Sequence, residues 1–305
     1  MECDYGKNSD KMVKLRNMQE NENSYEKRIV QYEKIHSIDE EDFKILVKTI
    51  KPKNNQTILD ICCGYGAVSK RIQEEIKKDH LNTKLVLLDN SSLQISRAKE
   101  NFPAEENIDF ILSDAIKTPF EDSHFDTIVN KMGLHEVPQD LQKQMMTECY
   151  RILKPEGKIV IWELALSEET QPIFSKIIKK KDELAGFSSL VRNRYFPKKE
   201  DTLNLLQKVG FNDVQVIHDV YPNLSIRNRK EEFVSVDRLK ILEEKDFIND
   251  EDQKELDKIS EQKIQALLDF VRENLTDEEK KIMNYQEIEN DIILTAQKAI
   301  FEARK

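Results

Sequence analysis

Three short apolar runs in this chain each end in an aspartate: Ile58-Leu59-Asp60, Leu85-Val86-Leu87-Leu88-Asp89 and Phe110-Ile111-Leu112-Ser113-Asp114. Unbroken apolar runs of this length are typical of strands covered on both faces, and helical spacing between them predicts an α/β fold around a parallel sheet. Strands are expected at 57–61, 84–88, 108–112, 125–130 and 158–164, with helices between them, as five consecutive βα units. Ahead of the last of these, Leu141, Met145, Cys149, Ile152 and Leu153 form a helical stripe stopped by Pro155 and Gly157. Beyond it the pattern predicts helices at 171–184 and 200–209, an alternating strand at 214–220 and a last strand within 292–303.

Aspartates at the tips of successive parallel strands face one crevice, the place where open α/β sheets bind ligands. The first run continues through Ile61-Cys62-Cys63-Gly64-Tyr65-Gly66, a glycine turn that lets backbone approach a nucleoside cofactor closely. Asp89 follows Gly66 by 23 positions, close to the spacing of an acid that accepts ribose hydroxyls, and Asp114 is placed to accept from an adenine amino group. Dehydrogenases share the glycine turn. Here, however, Ser69 stands at the third glycine position, and hydride transfer leaves the Asp114 element and the turn from Lys154 to Lys158 without a role.

Composition narrows the partners. The net charge of -10 over 305 residues repels a phosphate backbone, so no nucleic acid is expected, and the run Lys179-Lys180-Lys181 is followed at once by Asp182 and Glu183. No run of about 18 apolar residues is present and residues 1–11 are polar, so neither membrane insertion nor secretion is expected and the location reads as cytoplasmic. Cys3, Cys62, Cys63 and Cys149 form no metal-binding spacing, so no metal is expected. A monomer or a homodimer suits a chain of this kind.

Taken together, the motifs resemble those of the class I S-adenosylmethionine-dependent methyltransferases, especially the branch of the ubiquinone and menaquinone biosynthesis C-methyltransferases. The resemblance spans roughly residues 57–220. It rests on Leu59-Asp60-Ile61-Cys62-Cys63-Gly64-Tyr65-Gly66, Leu88-Asp89-Asn90-Ser91, Asp114-Ala115 with Pro119-Phe120 and Phe125-Asp126, and Leu153-Lys154-Pro155-Glu156-Gly157-Lys158. It implies a Rossmann-like, doubly wound, mostly parallel seven-stranded sheet, S-adenosylmethionine as cofactor and transfer of its methyl group. It also implies that Asp60 lies near the cofactor's amino-acid end, with Gly64 and Gly66 beneath it. Asp89 falls on the ribose, Asn90 beside the adenine and Asp114 at the adenine amino group. Asn130 and Lys131 offer backbone to the methionine portion. Cys62 occupies the position of the general pattern's first glycine, and the loop Met132-Gly133-Leu134-His135-Glu136-Val137 departs from the quinone branch.

Residues 1–52 are expected to form a helical N-terminal segment or lid. Residues 53–221 with 290–305 are expected to form the cofactor domain, and 222–289 a helical insert that covers the sheet edge, closes over a substrate or pairs two copies. Ser37 with Glu40 reads as a capping box before the stripe Phe43, Leu46, Val47 and Ile50, which Pro52 ends. His135, just beyond the fourth strand, is either a general base or a histidine packing its loop. Tyr25 and Tyr32, seven apart, share a helix face and either cover the cofactor or pack in the core. Arg192, Arg194 and Tyr195 either meet the substrate or belong to the charged surface. A small-molecule acceptor is the first expectation; a protein or RNA acceptor and a non-catalytic cofactor-binding protein are the alternatives.

Overall fold

The structure is a computed structural model that describes residues 40–305 except Ala104 and Asp246. Tyr25, Tyr32 and Ser37 lie outside the described residues. Helix α1 (Glu40–Ile50) opens the described chain and buries Phe43, Leu46, Val47 and Ile50, the stripe read from the sequence. Acids in its first turn and Lys48 in its last complement the helix dipole.

The five expected strands follow in order, four of them each followed by a helix. The elements are β1 (Thr57–Ile61), α2 (Ala67–Lys78), β2 (Lys84–Asp89), α3 (Ser92–Asn101), β3 (Ile108–Leu112), β4 (Phe125–Lys131), α4 (Gln139–Ile152) and β5 (Leu153–Leu164). No helix separates β3 from β4. After β5 come α5 (Thr170–Leu184), α6 (Ser188–Asn193), α7 (Lys199–Val209) and β6 (Asn212–Val220). The main sheet has the order β3-β2-β1-β4-β5-β10-β6. β1 to β5 are parallel neighbours, and β10 (Lys298–Arg304) runs antiparallel between β5 and β6. The chain therefore has the seven-stranded Rossmann-like α/β architecture, with one reversed strand. Two registers matter below: Lys131 pairs with Trp162 across β4 and β5, and Lys298 pairs with Leu164 across β10 and β5.

Between β6 and β10 the chain makes β7 (Asn223–Ser225), α8 (Lys230–Lys245), α9 (Asp250–Asn274), α10 (Asp277–Ile282), β8 (Gln286–Ile288) and β9 (Asp291–Thr295). The last strand expected within 292–303 is thus two strands. Ala296 and Gln297 break the run: the Ala296 N–H turns to Pro222 O and the Gln297 carbonyl to the Ala165 N–H, so β9 joins β7 and β8 in a small antiparallel sheet while β10 closes the main one. The insert is mixed, helices on a short sheet. Its Ile264, Leu267, Leu268 and Val271 share a core with Phe174, Ile178 and Phe196 from the segment after β5. Each such side chain, once buried, contributes about 1.5–3 kcal/mol, enough to hold the insert against the carboxyl ends of the strands.

Candidate functional site

At those carboxyl ends lies one cavity of about 300 Å³, reaching from the tips of β1, β2 and β3 to the insert. Its first end is the one legible in the sequence: Asp60, Cys62, Gly64, Asp89, Asn90, Asp114, Ala115 and Lys131 all line it. Asp89 Oδ2 accepts the Gly64 N–H at 2.9 Å and Oδ1 the Ser91 N–H at 3.0 Å, which fixes the carboxylate and leaves each oxygen a lone pair for a ligand. Burial raises the Asp89 pKa against those backbone bonds. Asp60 accepts from Ser69 Oγ at 2.7 Å, and burial pushes its carboxyl up to about 7 despite that bond. Asp114 accepts the Ile116 N–H at 2.9 Å and lines the cavity beside Ala115.

Gly64 has φ +54°, and a Cβ built there meets nothing within 4 Å, so the turn presents bare backbone. Cys62 also adopts a left-handed conformation, φ +57°, which explains why a glycine suits this position in the general pattern. Gly66 (φ +84°) caps α2 behind the cavity wall. Asn130 is fully buried, donates through Nδ2 to Ile61 O at 2.8 Å and leaves Oδ1 without a protein partner. Gly66 and Asn130 thus hold the turn and the strand ends; neither is on the wall.

At the other end His135 sits in a short 3-10 turn, Leu134–Glu136, and is buried. Glu163, fully buried near the end of β5, accepts the His135 N–H at 3.1 Å and holds Nδ1 at 2.7 Å; it also accepts the Leu164 N–H. Glu136 Oε1 lies 3.3 Å from Nε2. Burial opposes charge on the imidazole, but the carboxylates of Glu163 and Glu136 outweigh it and raise its pKa above 6.5. Phe196 stacks on the ring at 6.3 Å.

Of the three residues expected near the substrate after Gly186, only Arg194 lines the cavity. It bridges Glu136 and Asp182, the latter at 2.8 Å. Arg192 is exposed, and the Tyr195 hydroxyl donates to Asp201 at 2.7 Å beside the start of α7, so both lie off the wall. The alternation of direction at the end of α6 separates them. Further wall residues escaped the sequence reading: Trp162, Lys181, Leu224, Arg229, Glu232 and Lys298, with Glu163 behind His135. Lys181 pairs with Glu232 and Asp182, and Arg229 with Glu232 at 2.9 Å, so the insert completes the wall through buried ion pairs.

A Rossmann-like sheet with a fixed acid at the tip of each of its first two strands, a third beyond β3 and a cavity beyond them is an arrangement suited to a nucleoside ligand. Residues 58–157 match the family model described as a methyltransferase domain. The chain is 28% identical over 189 residues to a demethylmenaquinone methyltransferase of Staphylococcus epidermidis, covering 57% of this chain and 75% of that protein. It is 29% identical over 191 residues to a ubiquinone/menaquinone biosynthesis C-methyltransferase of Rickettsia prowazekii, covering 57% and 73%. A protein of Bacillus halodurans solved as a candidate methyltransferase has the same fold, with a TM-score of 0.64, 19% identity and coverage of 87% and 99%. Residues 58–157 thus form a methyltransferase domain whose cofactor is S-adenosylmethionine, and over 57% of its length the chain is similar to the ubiquinone and menaquinone C-methyltransferases.

The wall fits that cofactor. The open face of Gly64 admits a ligand against bare backbone, the free lone pairs of Asp89 suit a diol, and the Trp162 Nε1–H on the wall has no partner of its own. Among the described residues no group of three or more metal-type ligands is present, and no helix is long and apolar enough to cross a membrane.

Proposed function

We propose that this enzyme methylates a small-molecule acceptor held between His135 and the insert. In this reading Asp89 holds the ribose hydroxyls, Asn90 and Ala115 flank the adenine and Asp114 takes its amino group. Asp60, Cys62, Gly64 and the Lys131 backbone surround the amino-acid end, while Gly66 and Asn130 keep the turn in place. S-adenosylmethionine supplies a methyl group already activated on a sulfonium. The chain's own task is to orient the acceptor, exclude water and hold a proton where the acceptor must lose one.

His135 is the proposed proton acceptor. Glu163 fixes the ring through Nδ1, so Nε2 carries the exchangeable site, and Glu136 with Arg194 sets its surroundings. The observation that carries the reading is continuity: one cavity joins the strand-end acids to the His135–Glu163 pair, with Leu224, Arg229 and Glu232 of the insert on its wall. A concave cavity of about 300 Å³ suits a small acceptor better than a protein or RNA. The quinone-branch relatives make a hydroxylated aromatic ring the first acceptor class to test. A cytoplasmic location fits the free thiols of Cys62, Cys63 and Cys149.

The experiment is incubation of enzyme and methyl-labelled S-adenosylmethionine with extracted metabolites, followed by mass spectrometry. Label in a low-mass product supports the reading. Label only in protein or RNA, or in nothing although calorimetry detects cofactor binding, refutes it.

A further inference from the structure

Among the described residues, the cations on the cavity wall are paired with two exceptions. His135 is matched to Glu163, Arg194 to Glu136 and Asp182, and Lys181 and Arg229 to Glu232. The side chains of Lys131 and Lys298, both on the wall, have no ion pair or hydrogen bond among the described residues. Lys131 rests over the rings of Trp162, at 5.2 Å, and Phe43, at 5.7 Å, beside the end assigned to the cofactor's amino acid. Lys298 has no such ring.

The sheet register aims Lys298 at the acceptor end. Lys131, Trp162, Leu164 and Lys298 fall on one face, because residues paired across strands share a face, as do positions two apart along β5. Strands about 4.8 Å apart and a two-residue offset put the two lysine Cα atoms roughly 12 Å from each other. Lys298 shares the wall with Trp162, Leu164, Leu224 and Ala296, and with Arg229, whose charge Glu232 takes. The nearby acids are committed elsewhere, Glu163 to His135 and Asp42 to His218 at 2.9 Å.

A desolvated ammonium without a counterion is costly to fold around, and such groups are kept where a ligand supplies the missing charge. Burial, with Lys131 and Arg229 nearby, pushes the Lys298 pKa down to about 7, as expected of a cation lacking its anion. We infer that Lys298 seats a singly charged oxygen of the methyl acceptor, a carboxylate or an ionised phenol hydroxyl on an apolar body. One ammonium among apolar walls suits a monoanion, whereas a phosphate dianion calls for several converging donors. The inference deepens the proposed function and rests on its assignment of the other end to the cofactor.

The test is calorimetric, with benzoate as the probe and benzamide as its uncharged counterpart, on protein with and without S-adenosylhomocysteine. The expected result is benzoate binding by the wild type, at least tenfold weaker in Lys298→Met, with benzamide binding neither. Lys298→Arg keeps the binding. Affinity for S-adenosylhomocysteine stays within threefold in both variants, and Lys298→Met melts at or above the wild-type temperature. Equal benzoate binding by wild type and Lys298→Met, or none by the wild type, overturns the inference. A tenfold loss of S-adenosylhomocysteine affinity in Lys298→Met also overturns it, since the lysine then serves the cofactor's carboxylate. Protein that takes benzoate but no S-adenosylhomocysteine keeps the oxyanion seat and refutes the cofactor assignment instead.

Discussion

Asp89→Ala tests the nucleoside end directly. The wild-type carboxylate is held by two backbone N–H groups, at 2.9 and 3.0 Å, so it enters the complex already oriented. Each hydrogen bond from a ribose hydroxyl to such a charged acceptor is worth about 1.5–3 kcal/mol. Loss of two therefore costs about 3 kcal/mol or more, which is on the order of a 150-fold rise in Kd. The variant also leaves the Gly64 and Ser91 N–H groups without their acceptor, so the turn loosens and the loss does not fall below that figure. Calorimetry with S-adenosylhomocysteine measures it, and a thermal melt separates lost binding from lost folding. A folded variant that binds within threefold of wild type removes Asp89 from the ribose, and with it the orientation assigned to the whole cavity.

His135→Gln is expected to lower kcat about 10²- to 10⁴-fold and to abolish the rising limb of the pH–rate profile. Because the carboxylates of Glu163 and Glu136 raise the imidazole pKa, that limb lies above pH 6.5 in the wild type, and an identical limb in the variant excludes His135 as the base. For Asp60, burial sets the carboxyl at about 7, with Ser69, Asp89 and Lys131 facing it. A carboxyl whose folded pKa is raised stabilises the free protein below its ordinary range, and that contribution is lost as pH rises through about 7. A cationic ligand group favours the ionised form, so affinity climbs with pH up to about 7, about tenfold per unit at most, with proton release on binding. Calorimetry in buffers of different ionisation enthalpy reads that release, and proton uptake there contradicts the assignment. Gly133→Ala places a Cβ 2.6 Å from Asn130 Nδ2 and 2.7 Å from Cys62 Cβ, inside contact distance of two packed strand ends. It is expected to lower stability by about 1–3 kcal/mol in denaturant titration, and an unshifted midpoint means that the loop yields freely.

The strand-end acids of the cavity were legible because each belongs to a local pattern. An apolar strand, the acid at its tip and the following turn are contiguous in sequence, so Asp60, Asp89 and Asp114 stood out as a set. The end of the cavity at His135 is assembled from distant stretches. Glu163 lies inside an apolar run with nothing to mark its approach to His135, and Lys298 reaches the cavity only because β10 enters antiparallel beside β5. Arg194 and Tyr195 are adjacent, yet only the first turns inward. The three-residue strands β7 and β8 are too short for a period of two to register, so the insert read as helical throughout.

β6 and β10 are separated in the main sheet's strand order by nothing, yet in sequence by the entire insert. That detour adds Leu224, Arg229, Glu232 and Ala296 to a wall begun by residues 131–196, while the strand-end acids lie within 60–114. A change confined to the excursion between neighbouring strands therefore reshapes one side of the chamber and leaves the acids on the other where they are.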